Sequence, residues 1–172
     1  MEKLTIIKGI ILILVFGVTS TIGIMFAKKY KDRVEELKDF KTALNVFKTK
    51  IKYTYEPIPD IFIELSKNFK TNVSNVFKIA SENMNTNSAG DAWILAIDTT
   101  FLNITKEDKE VLKNMSKLLG KTDMVGQVNE IELTETFLNS QIEKAEQEKS
   151  KNEKLYKTLG YVTGLGLVII LI

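Results

Sequence analysis

The chain of 172 residues has no cysteine, no histidine and only two prolines, Pro57 and Pro59. Without cysteine there is no disulfide, no thiol nucleophile and no thiolate metal ligand. Without histidine the commonest general base and the commonest transition-metal ligand are also missing. A cysteine-free domain fits a reducing compartment. With proline confined to one short stretch, nearly the whole chain is free to be helical. The net charge is only +2, so no global field favours nucleic acid. No internal repeat and no low-complexity linker interrupts the chain.

What the chain does have is two apolar runs, one at each end. Gly9 to Ala27 is 19 residues without a charge, close to the roughly 20 needed to cross a bilayer as a helix. A cleaved signal peptide would have a shorter apolar core followed by small residues at its cleavage site, and Met25-Phe26-Ala27 supplies only one. The second run closes a long helical stretch that opens at Lys121-Thr122-Asp123 and contains no proline. Val128, Ile131, Leu138, Ile142 and Ala145 recur there at helical spacing before Thr158 to Ile172 turns apolar. That last run of 15 residues makes roughly 22 Å of helix, short against about 30 Å of hydrocarbon. The expected divisions are an N-terminal anchor over 1–27, a helical domain over 28–157 and a C-terminal membrane segment over 158–172.

Both anchors carry small residues at four-residue spacing: Thr19, Gly23 and Ala27 in the first, Gly160 and Gly164 in the second. Such ridges let helix backbones approach closely in a membrane, where Gly and Thr also occur for other reasons. Lys28, Lys29, Lys31 and Arg33 follow the first anchor, and Lys149, Lys151, Lys154 and Lys157 precede the second. Basic flanks stay on the cytoplasmic side, so both asymmetries place the domain in the cytoplasm.

Within the domain, Val34, Leu37, Leu44, Phe47 and Ile51 form an apolar stripe with Phe40 beside it, predicting a first helix to Tyr53. Lys28 to Tyr53 holds nine basic and four acidic residues, a face that suits solvent, anionic lipid or an acidic partner. Pro57 and Pro59 end this helix and start a second, reaching about Asn68. A third is expected over about Thr71 to Met84, and a fourth from Ser88 and Asp91 to about Asp98, with Trp93 as a core anchor. A fifth starts at Thr105 and Asp108 and is expected to run to Leu119, with Gly120 stopping it. Thr122 or Asp123 then caps the sixth. Six helices with short joints and no strand alternation predict an all-α bundle, a cytoplasmic six-helix domain flanked by two transmembrane helices.

No chemistry emerges from the residues. Gly120-Lys121-Thr122 looks like the end of a phosphate loop, but Met115 stands where a glycine is required and a helix, not a strand, precedes it. Glu130, Glu132, Glu135, Glu143 and Glu146 lack the histidine partners of a bundle metal site and read as a solvated face. The chain is expected to be no enzyme and to need no cofactor, metal or small-molecule substrate. A membrane-anchored extracytoplasmic helical sensor would need the opposite topology. A small membrane enzyme would need a pocket of converging acids.

The order of several stretches resembles the stage III sporulation protein AB family of endospore-forming bacteria. They are Ser20-Thr-Ile-Gly-Ile-Met-Phe-Ala27 with its basic tail, and Ala43-Leu44 through Ile51-Lys-Tyr53 with Pro57-Ile-Pro59. Ser88-Ala-Gly-Asp-Ala-Trp93, and Leu119-Gly-Lys-Thr-Asp123 with Gln127, come next. Asn152-Glu-Lys154 and Leu159-Gly160 with the apolar tail complete the likeness. Lys50, Glu56 and Gly126 depart from the family's usual residues. The resemblance implies similarity to the inner-membrane platform proteins of type II secretion and type IV pilus machines. It implies a place in the mother-cell membrane around the forespore, as a non-enzymatic subunit of the channel joining the two cells. The implied partners are the AA-component ATPase and the other membrane subunits, with a homo-oligomer left open.

Overall fold

A computed structural model of the chain describes the backbone over residues 2–171 and the side chains over 6–171. Met1 and Ile172, the outermost residues of the two expected anchors, lie outside this range, as does the side chain of Lys3. Six α-helices follow in order: α1 Glu2–Tyr53, α2 Ile58–Leu65, α3 Val73–Asn83, α4 Ala89–Thr99, α5 Lys106–Asn114 and α6 Met124–Leu171, with a 3₁₀ turn over Met115–Lys117. No strand occurs among the described residues, so the all-α class and the six helices read from the sequence are borne out. Two compact units form, one from residues 1–32 and 145–172 and the other from residues 33–144. The borders at 27/28 and 157/158 concern where lipid would end, a different quantity.

In the second unit the stripe of α1 is the spine. Val34, Leu37, Phe40, Ala43, Leu44, Phe47 and Ile51 are all buried. Onto it come Ile61, Phe62 and Leu65 of α2, Val73, Val76, Phe77 and Ala80 of α3, and Ala92, Trp93, Ala96 and Ile97 of α4. Phe62 lies at the middle of the core. Its ring centroid is 5.1 Å from Phe47, 5.0 Å from Phe77 and 5.7 Å from Trp93, and each pair meets edge to face. Such pairs add about 0.5–1.5 kcal/mol each beyond the area they bury.

The joints follow from local chemistry. Tyr55, at φ 54°, takes the left-handed conformation between α1 and α2, and Pro57 (φ −59°, ψ 141°) sets the extended residue ahead of α2. The Ser88 hydroxyl accepts from Asp91 N–H at the start of α4 while donating to the Asp91 carboxylate at 2.6 Å. This is half of a capping box, because the carboxylate takes the hydroxyl rather than a backbone donor. Thr105 and Asp108 make the full box at α5. Helix α5 ends at Asn114, short of the Leu119 expected from its apolar pattern. Met115 and Ser116 are buried, and the Ser116 carbonyl lies against Gly90, where no Cβ would fit. The close approach of α4 there is met by a tighter 3₁₀ turn, which keeps Met115 and Ser116 inward and leaves Lys117 exposed.

The first unit is an antiparallel pair made by the N-terminal part of α1 and the C-terminal part of α6. Both helices are long and apolar enough to cross a membrane, with mean hydropathy 2.5 and 1.3 over their most apolar windows and only 11% of each window buried. Ile10, Ile13, Leu14, Ile169 and Ile170 are among the exposed apolar side chains. In lipid these faces meet acyl chains, and the backbone groups are satisfied within each helix.

Candidate functional site

The seam of the membrane pair is built from the small residues singled out in the sequence. A Cβ on Gly160 would meet Gly23 Cα at 2.9 Å and the Thr19 carbonyl oxygen at 2.9 Å. A Cβ on Gly23 would meet the Tyr156 carbonyl oxygen at 2.7 Å and Gly160 Cα at 2.8 Å. The two backbones therefore touch, with no flexible side chain between them to give way. Gly164 faces the Thr19 hydroxyl in the same manner. That hydroxyl donates back to Val15 O and Phe16 O at 3.1 and 3.0 Å, so it is satisfied within its own helix. Ala27 is fully buried. Aromatic rings close both ends of the seam: Phe16 on Tyr161, and Tyr156 stacked between Phe26 and Tyr30 at 5.8 and 5.7 Å.

Gly160→Leu is expected to part the two helices, because overpacking costs about 1–3 kcal/mol even where side chains can yield. The check uses Phe16→Cys with Tyr161→Cys in this cysteine-free chain. Oxidation should link the pair efficiently, and adding Gly160→Leu should cut the yield several-fold.

The basic residues have different uses. Lys28 lies 3.9 Å from Asp32, Lys29 sits 5.5 Å from the Phe26 ring centroid, and Lys157 binds Glu153 at 2.8 Å. Lys31 and Lys154 are exposed. Arg33 is different: it is buried, and its Nε and Nη2 donate to the two Asp108 carboxylate oxygens at 2.8 and 3.1 Å. Its role in the helical unit is a core ion pair. Sequence adjacency to three lysines gave no sign of this, because the partner lies 75 residues away.

This pair anchors a polar clamp on α1. One turn on, Glu36 accepts from the Asn103 backbone N–H at 2.6 Å and from its side-chain amide at 2.9 Å. The first turn of α5, through Asp108, and the loop before it, through Asn103, are thus held at successive turns of α1. Glu107, beside Asp108, accepts from Lys144 and Gln141 at 2.9 Å each, tying α5 to α6. Lys144 first, then Gln141, holds its carboxyl below the ordinary value. Trp93, fully buried, donates from Nε1 to the Leu112 carbonyl at 2.8 Å.

The remaining motif residues gather at helix ends. Tyr53, the last residue of α1, is exposed, with Lys52 over its ring. Pro57 and Pro59 open α2. Gly120 takes φ 73° with Ala89 Cβ 3.1 Å from where its own Cβ would be. Asp123 caps α6 by accepting from Gly126 N–H at 2.9 Å, and the Gln127 amide donates to the Thr122 carbonyl at 3.1 Å. A Cβ at Gly126 would collide with the Thr122 side chain, which gives a packing reason for glycine there.

Lys50 binds Glu64 at 2.8 Å and Glu56 at 3.1 Å. Lys50 first, then Thr54, holds the Glu56 carboxyl below its ordinary 4.5. A depressed carboxylate stabilises the fold above its unfolded pKa, and that contribution disappears as pH falls through the folded value. Carboxyl-carbon NMR should show Glu56 titrating below 4.5. In Lys50→Met the midpoint should return toward that value.

Among the described residues no group of His, Cys, Asp and Glu is placed to hold a metal ion. Comparison with known proteins identifies one family. Residues 8–172 match the family described as Stage III sporulation protein AB. The chain is similar to the Stage III sporulation protein AB of Bacillus subtilis (strain 168), at 31% identity over 157 residues, covering 89% of this chain and 92% of the relative. A solved structure of Stage III sporulation protein AB (SpoIIIAB) aligns with TM-score 0.64 and 27% identity, over 70% of this chain and 98% of that one. On these grounds the chain belongs to the stage III sporulation protein AB family.

Proposed function

We propose that this protein is the membrane platform that fixes a cytoplasmic ATPase, the AA component of the sporulation system, to the membrane subunits of its channel. Members of the family are non-enzymatic membrane subunits of the complex joining mother cell and forespore. The observation that carries the reading is the pairing of two membrane helices through bare backbone, Gly23 on Gly160, in a chain that also builds a separate helical unit. Two joined spans restrain tilt and rotation better than one, which is what a platform under a motor needs. The position is the mother-cell membrane around the forespore. The borders with lipid lie near residues 27 and 158, with Lys28, Lys29, Lys31, Lys154 and Lys157 on the cytoplasmic side. Motif residues at helix ends, Tyr53, Pro57, Gly120, Thr122, Asp123 and Gln127, keep the joints in register for docking. Trp93 does so from within the core.

The test is topology, then binding. Single cysteines at Asn87 and Ile170 are labelled in intact cells with a membrane-impermeant maleimide. Protection at 87 with labelling at 170 places the domain inside. Labelling at 87 overturns the orientation and with it the ATPase assignment, and moves an extracytoplasmic sensor to first place. With the domain inside, the full-length protein in vesicles should recruit purified AA-component ATPase in a flotation assay. Vesicles without the protein should not, and equal recruitment by both would reject the platform role.

A further inference from the structure

A groove of about 640 Å³ runs between α2 and α3 of the helical unit. Pro59 and Ile63 supply its apolar part, and Asp60, Lys67, Lys78 and Glu82 its charges. Its uncharged polar side chains are satisfied. Ser66 donates to Ile63 O at 2.7 Å, Ser81 to Lys78 O at 2.8 Å and Asn85 to Glu82 O at 3.3 Å. The four charges differ: among the described residues, none of them has an ion-pair or side-chain hydrogen-bond partner. Lysines at other helix contacts of this unit are paired, Lys48 with Glu135, Lys50 with Glu64, Lys113 with Asp98 and Lys144 with Glu107.

The order of the charges decides what fits. A short turn joins α2 to α3, and the Phe62 and Phe77 rings lie 5.0 Å apart, so the two helices run side by side in opposite directions. Asp60, near the start of α2, therefore shares one end of the groove with Glu82, near the end of α3. Lys67, just past α2, stands about 10 Å from Asp60 at 1.5 Å per residue. Lys78 stands about 6 Å from Glu82 in the same direction. On both helices acid lies toward one end and base toward the other, with Ile63 midway. Such a surface complements itself. Turned end for end, it presents lysines to acids and acids to lysines, and that is the operation of a two-fold axis. A partner of different sequence has to match four charges independently, whereas a second copy matches them by symmetry.

We propose that this groove is an isologous contact between two copies of the chain. Ile63 faces Ile63, and Asp60 and Glu82 of each copy face Lys67 and Lys78 of the other. Pro59, Ile63 and Lys67 recur at four-residue steps, a ridge that enters the opposite groove. The contact is small beside the roughly 20–30 residues a side of a stable free dimer. Anchoring in one membrane raises the concentration of each copy near the other, so a smaller contact suffices there. The pairing needs no ATPase.

The test uses the full chain, which has no cysteine, in vesicles at a fixed protein-to-lipid ratio. On mild oxidation Ile63→Cys should form a disulfide-linked dimer several-fold faster than Thr136→Cys, which is exposed on α6 outside the groove. In the Ile63→Cys background, Lys67→Glu with Lys78→Glu makes the groove wholly acidic. Asp60→Lys with Glu82→Lys makes it wholly basic. Each should slow linking by about tenfold or more, because like charges then meet. Mixed in equal amounts, one carrying a size tag, the two should link to each other at least as fast as the parent links to itself. All four positions are exposed, so the fold should persist, as Trp93 fluorescence will check. Equal linking at 63 and 136 overturns the contact. Linking that ignores both reversals does so too, since only collision in the bilayer is then left. A mixture that gains no heterodimer also rejects it, because the charges then do not meet across a two-fold axis.

Discussion

Asp108→Ala is expected to destabilise the helical unit by about 3–5 kcal/mol, the usual cost of removing one partner of a buried ion pair. Asp108 is completely buried and Arg33 nearly so. The carboxylate accepts from Arg33 twice and from the Thr105 backbone N–H at 2.8 Å. Alanine leaves the guanidinium uncompensated and strips the reciprocal half of the α5 cap, a feature worth about 1 kcal/mol by itself. The two losses share one side chain and do not simply add. Against a typical total of about 5–15 kcal/mol, the variant should be largely unfolded at modest denaturant. The check is denaturation of the full chain in mild detergent, followed by Trp93 fluorescence. Arg33→Met with Asp108→Leu should recover much of the loss, since a buried pair replaced by apolar residues of similar size is often neutral. A loss below about 1 kcal/mol for Asp108→Ala would mean that the site is wetter than its burial implies.

The pair also marks where sequence reading stops. Helices α1 to α6 were legible because their apolar residues recur at three and four, and α5 and α6 carry capping residues at their starts. The fold class and the family followed from that order. In sequence Arg33 belongs with the membrane flank because Lys28, Lys29 and Lys31 precede it, and Asp108 reads only as a cap. Nothing local joins residues 75 positions apart, and a charge in the core looks, in sequence, like a charge at the surface. Glu36 was hidden in the same way among the charges of α1. A sign was nonetheless present: Arg33 and Glu36 fall on the same helix face as Leu37 and Phe40, where a solvated charge has no place. The early end of α5 was illegible for another reason. Leu118 and Leu119 continue the apolar rhythm, whereas the break answers to Gly90 on a different helix.

Trp93→Ala is expected to cost about 3–5 kcal/mol, the range for emptying a buried aromatic site. The indole touches Phe40, Phe62 and Phe77 at centroid distances of 6.4, 5.7 and 5.4 Å, so three elements lose a common neighbour. It also acts as a cap supplied from another helix. Leu112 lies in the last turn of α5, where carbonyls lack partners within the helix, and the indole N–H supplies one. Trp93→Phe separates these roles. It keeps a ring in the cluster but removes the donor, and should cost about 1–3 kcal/mol for the orphaned carbonyl, plus a smaller cavity term. Far-UV circular dichroism against denaturant is the suitable readout, since both variants lack the only tryptophan. A phenylalanine variant close to wild type would assign the residue to volume alone. One nearly as damaged as alanine would show that the α4–α5 corner depends on that single hydrogen bond. Amide exchange should then rise first in the turn at Met115–Lys117, which follows the bonded carbonyl.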